Sequence, residues 1–476
     1  MNKKNLRYKK YFTKLNQTLT KFNNHFLYHI PDLYKKDLRK DKISITKIKF
    51  SFFKSLLRKS YLYDDIKNIE KAKICFISHY VGNKIKDKNY DFYYGNLFKK
   101  IKIKIPYYVI LINHTNENLN EIKQKFNNSK IPRVYINNDF NILSDSFNVL
   151  KITKEYLNFK ILNFFNHKQF KISNKLNLEF DYKYFLSSRY TYKITNSIIR
   201  ILDKSKNLDN LVTTFEGHAF EKIIFNYCKK KKIKSIGYFF SVIREYKNSI
   251  YYIFNKKYQP DTVLTAGFVS KEDLKLNSPL KNIEILGSNK NLSKINKLNI
   301  LKNKEVITVL VCPEGLFTET IKMLKLINSN LLYKKNIKFI FRTHPLIYVL
   351  RDFSKNIINK NIIFSKEKNI ANDFKKSDII LYNGSSTCIQ ATMSGLVPVT
   401  FNDNVKSFSL DPLYKINDFI IKNPNTLLHM INIIDKNKFT LKFKKKLNKI
   451  QKYCHLYFQK FNQKILTKSI IYNENK

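Results

Sequence analysis

Two series of short apolar runs, each closed by a turn and followed by helical patterning, constrain this chain more than any other feature. The first series holds "KICFISHY" (73–80), "PYYVILINH" (106–114), "PRVYINN" (132–138), "NLVTTFEGH" (210–218) and "KSIGYFFS" (234–241). The second restarts after residue 300 with "EVITVLVCPEG" (305–315), "IKFIFRTHP" (337–345), "NIIFSKE" (361–367), "SDIILYNG" (377–384) and "LVPVTFN" (396–402). Runs of this length, rich in Ile, Val and Phe, read as strands buried on both faces. Helical patterns such as "TETIKMLKLI" (318–327) and "STCIQATMSG" (386–395) lie between them. Strand–helix alternation of this kind predicts α/β architecture with parallel sheets covered on both sides. Two series predict two Rossmann-like domains, with ligand in the cleft outside the carboxyl ends of the strands.

The boundaries follow the patterning. Residues 1–70 read as a mostly helical N-terminal extension, 71–275 as a first Rossmann-like domain, 276–440 as a second, and 441–476 as a basic C-terminal helix and tail. Between the two series, "YQPDTVLTAGFVSKEDL" (258–274) and "IEILGSNK" (283–290) read as the hinge region.

A net charge of +53 admits a polyanionic partner such as nucleic acid, or an anionic membrane surface. The Lys excess is spread along the chain rather than gathered into one stripe, which favours plain filling of exposed positions, and nucleic acid is not the expected partner. The five cysteines (Cys75, Cys228, Cys312, Cys388, Cys454) are widely spaced with no CxxC pair, as in a reduced protein with small buried thiols. The N-terminal "MNKKNLRYKKYF" lacks the apolar stretch of a signal peptide, and no run approaches the ~18 apolar residues of a membrane span. A cytoplasmic setting, with peripheral contact at the inner-membrane surface, is the expectation.

Polar residues just after strands are the best candidates for chemistry. In "TTFEGHAFEK" (213–222), Gly217 allows a tight turn and Glu216 has two readings: a general base, or a cap for the following helix. His218 follows, and Glu221, one turn into the helix, reads as structural. His79, at the end of the first run, is a further candidate on this side. In "FRTHP", Arg342 offers forked donors and His344 an imidazole, and Pro345 takes the chain out of the sheet. In "YNGSSTCIQA", the chain turns at Gly384, and Ser385, Ser386 and Thr387 open a helix, which reads as a phosphate site or as ordinary capping. A weaker turn of the same kind carries Glu314, Gly315 and Thr318. No metal-binding DxD follows a strand, and neither GxGxxG nor GxxxxGK[ST] occurs. No metal and no resident cofactor are therefore expected.

The strings "TFEGHAFEK", "PDTVLTAG", "CPEGLFTE", "RTHP" and "NGSSTCIQATMSGLVPV", over residues 70–440, resemble the bacterial sialyltransferases and polysialyltransferases. More broadly they resemble GT-B glycosyltransferases of capsule and lipopolysaccharide assembly. The resemblance implies an inverting, metal-independent transfer from a nucleotide-activated sugar, of the CMP-activated acidic type (sialic acid or Kdo), to a glycan or lipid-linked glycan. It implies Glu216 as base, with His344 and the serine motif on the donor phosphate. The first domain then takes the acceptor, with Gly217, His218 and His79 on that side, and the second takes the nucleotide. Phe215 stands where the family's motif has its first acid, so only its second acid is matched, by Glu216. Alternatives are a GT-B transferase with another nucleotide-sugar or CDP-polyol donor, a nucleic-acid-binding protein and a non-catalytic scaffold.

Overall fold

A computed structural model describes residues 61–471, apart from 64–65, 83–86, 101–104, 116, 138–141, 166–188, 246–248, 254, 293–297, 302–304, 345–346, 348–356, 358 and 403–409. The N-terminal extension up to residue 60, and Pro345, lie outside the described residues.

The first unit contains β1 (Tyr61–Tyr63), α1 (Ile66–Glu70), β2 (Ile74–Tyr80), α2 (Leu97–Lys100), β3 (Tyr107–Asn113), α3 (Leu119–Lys125), β4 (Arg133–Ile136) and α4 (Ile142–Phe165). It continues through α5 (Arg189–Leu202), β5 (Asn210–Thr214), α6 (Ala219–Lys230), β6 (Lys234–Phe239), β7 (Thr262–Thr265), α7 (Phe268–Asn277) and β8 (Ile283–Ile285). The second contains β9 (Ile307–Cys312), α8 (Phe317–Ile327), β10 (Ile337–Phe341), β11 (Ile362–Phe364), α9 (Ile370–Lys376), β12 (Ile379–Tyr382), α10 (Thr387–Met393), β13 (Val397–Phe401) and β14 (Ile420–Ile421). Three helices close the chain: α11 (Pro424–Asn437), α12 (Leu441–Tyr457) and α13 (Gln463–Ile471).

The strand orders are β1-β4-β3-β2-β5-β6-β7-β8 and β11-β10-β9-β12-β13-β14. Among the described strands, only the β1–β4 pairing is antiparallel. Setting aside the edge strand β1, each sheet therefore starts in its middle, runs to one edge and returns to run to the other. That is the doubly wound order, with a switch point between β2 and β5 and another between β9 and β12. Two such units facing each other make the GT-B-like α/β architecture that the sequence leads one to expect.

The strands are buried in unbroken runs, as in β9 and β5, because helices cover both faces of each sheet. Fully buried Val309, Leu310 and Val311 each contribute on the order of 1.5–3 kcal/mol of burial. All five cysteines are buried and free.

Two readings change. Residues 258–290 are not a simple hinge: β7 and β8 are parallel strands of the first sheet, so that sheet runs past residue 275. Nor are residues 61–63 helical. "YLY" pairs with β4 as an edge strand, a place that suits its aromatic side chains. The C-terminal segment also returns to the first unit. Gln459 N–H donates to Ala266 O at 3.0 Å and Asn462 N–H to Leu286 O at 2.7 Å. Leu466 and Ile470 of α13 join the core of the first sheet.

Candidate active site

The two switch points hold the candidate residues. In the first, His79 is the next-to-last residue of β2, and β5 ends at Thr214, just before Glu216. Gly217 has φ +83°, and a Cβ there would lie 2.5 Å from Ile250 N, so the turn requires glycine. Glu221 holds this turn. Its carboxylate accepts from the backbone N–H of Glu216 (3.2 Å), Gly217 (2.7 Å) and His218 (2.8 Å). Burial pushes its pKa up to about 7, against the opposing effect of His218 and the backbone amides.

The cap is therefore Glu221, which frees the Glu216 side chain from that duty. Glu216 instead accepts from Ser241 Oγ, and its other oxygen stands 3.3 Å from His218 Nε2. On the next strand over, His79 Nε2 meets Thr214 Oγ1 and its Nδ1 meets His114 Nε2, both at 2.8 Å. Burial holds His79 well below the usual imidazole value, and His114 and His218 push it further down. An aromatic wall adjoins: Tyr93 packs edge-on against His79 (5.4 Å) and against Phe240 (4.6 Å).

At the second switch point, His344 packs on Gly315, where a Cβ would lie 2.8 Å from His344 Nδ1. Burial lowers the pKa of this histidine; Glu314 acts to raise it and Lys290 to lower it further. Ser385 is buried, while Ser386 and Thr387 are half-buried. Their helix, α10, has only seven residues and Ser386 makes no side-chain cap. Its end dipole is small, so the positive charge at this edge comes from elsewhere.

It comes from Lys290. This residue follows β8, and its Nζ lies 3.2 Å from Ser386 Oγ. Gln390 of α10 donates to its carbonyl at 3.2 Å, fixing the backbone to the second unit. Burial lowers the pKa of this lysine, while the charge of Glu216 acts to raise it. One ammonium therefore interacts with groups from both units.

Other predicted residues are engaged differently. Arg342 is not held open for a ligand at Nη1, which donates to Asp373 Oδ2 (2.5 Å), Ser365 Oγ (3.3 Å) and Glu367 O (3.0 Å). Asp373 is almost wholly buried, so the guanidinium balances a core charge of the second unit. Glu314 accepts from Arg244 Nη2 at 3.0 Å, and the same nitrogen reaches Gly384 O at 2.8 Å. This clasp joins the units beside the cleft. Thr318 is exposed in the first turn of α8. Its neighbour Glu319 is buried and accepts from Asn383 at 2.7 Å, holding the turn before Gly384.

Lys290, Arg244, Ser241 and Phe240 are absent from the sequence reading. Ser241 and Phe240 do lie just past a strand, and "GSNK" is a polar cluster after a strand, so the rule that located His344 also reaches Lys290. Reading residues 258–290 as a hinge hides it. Among the described residues, no group of three or more His, Cys, Asp or Glu is placed to hold a metal ion. No helix among them is long and apolar enough to cross a membrane.

No family model matches the chain, and no curated protein does. Among solved structures, the MnaA protein of S. aureus with UDP overlaps with a TM-score of 0.48 at 12% identity, over 85% of this chain and 97% of that one. The UDP-N-acetylglucosamine 2-epimerase of Rickettsia bellii gives 0.47 at 14%, over 85% and 97%. A glycosyltransferase of Rickettsia africae gives 0.45 at 14%, over 85% and 100%. The fold assignment rests on the strand orders and takes nothing from these overlaps.

Proposed function

We propose that the chain is a GT-B glycosyltransferase that moves a sugar from a nucleotide donor to a glycan hydroxyl. The observation that carries this reading is Lys290, which follows a strand of the first unit, lies 3.2 Å from Ser386 of the second, and interacts electrostatically with both Glu216 and His344. Glu216 takes the proton of the acceptor hydroxyl, with Ser241 and His218 orienting its carboxylate. Lys290, His344 and Ser386 stabilise the charge that develops on the leaving nucleotide phosphate. Tyr93 and Phe240 flank the acceptor side. The reaction inverts the anomeric centre, because a single carboxylate acting on the acceptor gives one displacement, and it proceeds without a metal.

The finer reading is a CMP-activated acidic sugar of the sialic acid or Kdo type, used in surface polysaccharide assembly. Two supports stand behind it. The strings around Glu216, His344 and Ser385–Thr387 resemble that group. The second switch point also offers one ammonium and one imidazole, a set sized for a single phosphate.

The test is thermal stabilisation of the purified protein by CMP, CDP, UDP, GDP and ADP. Stabilisation by CMP, lost in His344→Ala, is expected. Stabilisation by UDP, GDP or CDP instead keeps the transferase reading and removes the acidic-sugar donor. No response to any nucleotide overturns both.

A further inference from the structure

One helix of the first unit carries an apolar face that the packing of the described residues does not explain. α4 is 24 residues long and packs along α5. Its inward side is settled by Asn148, Ile152 and Glu155, all buried. Asn196 of α5 donates to Asn148 at 3.2 Å, and Tyr192 of α5 donates to Glu155. On the opposite side, Phe147, Leu150, Leu157 and Ile161 are 77%, 67%, 54% and 53% exposed. At 3.6 residues per turn these four fall on one stripe, with Lys154 within it and Lys151 at its border. Isolated exposed apolar side chains are ordinary; four in register along one helix are not.

We propose that this stripe is an interfacial docking face for an anionic membrane surface. Apolar side chains interleaved with lysines form the arrangement that lies flat in a headgroup layer, with the chains inserted and the ammonium groups outward. The charge of the molecule chooses the occupant. At +53, two copies repel each other while an anionic bilayer attracts either one. The acid of α4 whose side chain is described, Glu155, is buried on the other side and opposes nothing. The helix begins just beyond the carboxyl end of β4, the edge at which the cleft residues lie.

The chain contains no tryptophan, so Leu157→Trp supplies a unique fluorescent reporter in an otherwise unchanged full-length protein. Vesicles of phosphatidylcholine with phosphatidylglycerol should shift its emission to the blue, and pure phosphatidylcholine vesicles should shift it far less. In co-flotation, Leu150→Ser/Leu157→Ser should lower binding to the anionic vesicles about tenfold or more, with unfolding temperature unchanged. An emission that is already blue without vesicles would mean that another part of the chain, or a second copy, covers the stripe, and would overturn the proposal. So would anionic-vesicle binding that the double serine variant leaves intact, since the contact would then be charge alone. None of these readouts depends on transfer activity.

Discussion

The two switch crevices have the same strand order yet are built from opposite chemistry. The crevice between β2 and β5 is crowded with acids and imidazoles: Glu216, Glu221, His79, His114 and His218. Burial holds His79 and His114 below the usual imidazole value, so these two rings stay neutral near neutral pH. The crevice between β9 and β12 holds hydroxyls and one imidazole, has its carboxylates Glu314 and Glu319 engaged by Arg244 and Asn383, and borrows its ammonium from Lys290, at the end of the first sheet. A shared topology fixes where ligands go; the side chains at each strand end decide whether a crevice removes protons or holds anions.

This contrast can be broken at either crevice. The largest effect is expected for Glu216→Gln, which should lower transfer by about two to four orders of magnitude while nucleotide affinity stays unchanged. Near-normal turnover would remove the base assignment. Lys290→Met should cost about 100-fold in rate and, unlike Glu216→Gln, should also weaken nucleotide binding in calorimetry. Equal affinity in that variant would confine Lys290 to a structural part.

Arg342→Gln should separate the two kinds of cation in the second unit. It strips the partner from buried Asp373 and should lower stability by about 3 kcal/mol in denaturant unfolding. Surviving folded protein should bind nucleotide as before.

The smallest effect is a pH dependence. His79 and His114 have folded values below the ordinary 6.5, with His114 at about 4. Their contribution to stability is present above pH 6.5 and is lost as pH falls below it towards the folded values. Glu221 runs the other way. Raised from 4.5 to about 7, it contributes stability that is full below 4.5 and lost as pH rises through 7. Replacing both His79 and His114 by Gln should flatten the fall in unfolding temperature between pH 6.5 and 5. An unchanged slope would place the acid sensitivity outside this crevice.

Much of the cleft is legible from strand ends alone. His79, Glu216, His344 and Ser386 all sit where an apolar run stops, and a polar residue at the end of a buried strand must meet water, a ligand or a partner. The sequence reads Glu221 as structural, as the structure has it, whereas the choice between base and cap for Glu216 is not legible there. Both are acids near a helix start, and only the fold of the Gly217 turn shows which one reaches the amides. The ion pair of Arg342 is not legible, because its partner, Asp373, lies on a helix after the next strand.

The amino-acid order by itself determined the alternation of strand and helix, the burial of the strands, the reduced state of buried thiols and the edge at which polar residues collect. Those properties depend on the polarity of near neighbours, which a local pattern records. Tertiary structure alone decided that β7 and β8 complete the first sheet, that the C-terminal segment returns to it, and that Lys290 and Arg244 bridge the units. Each of these depends on pairing between residues far apart in the chain, and no periodicity within either segment encodes its partner.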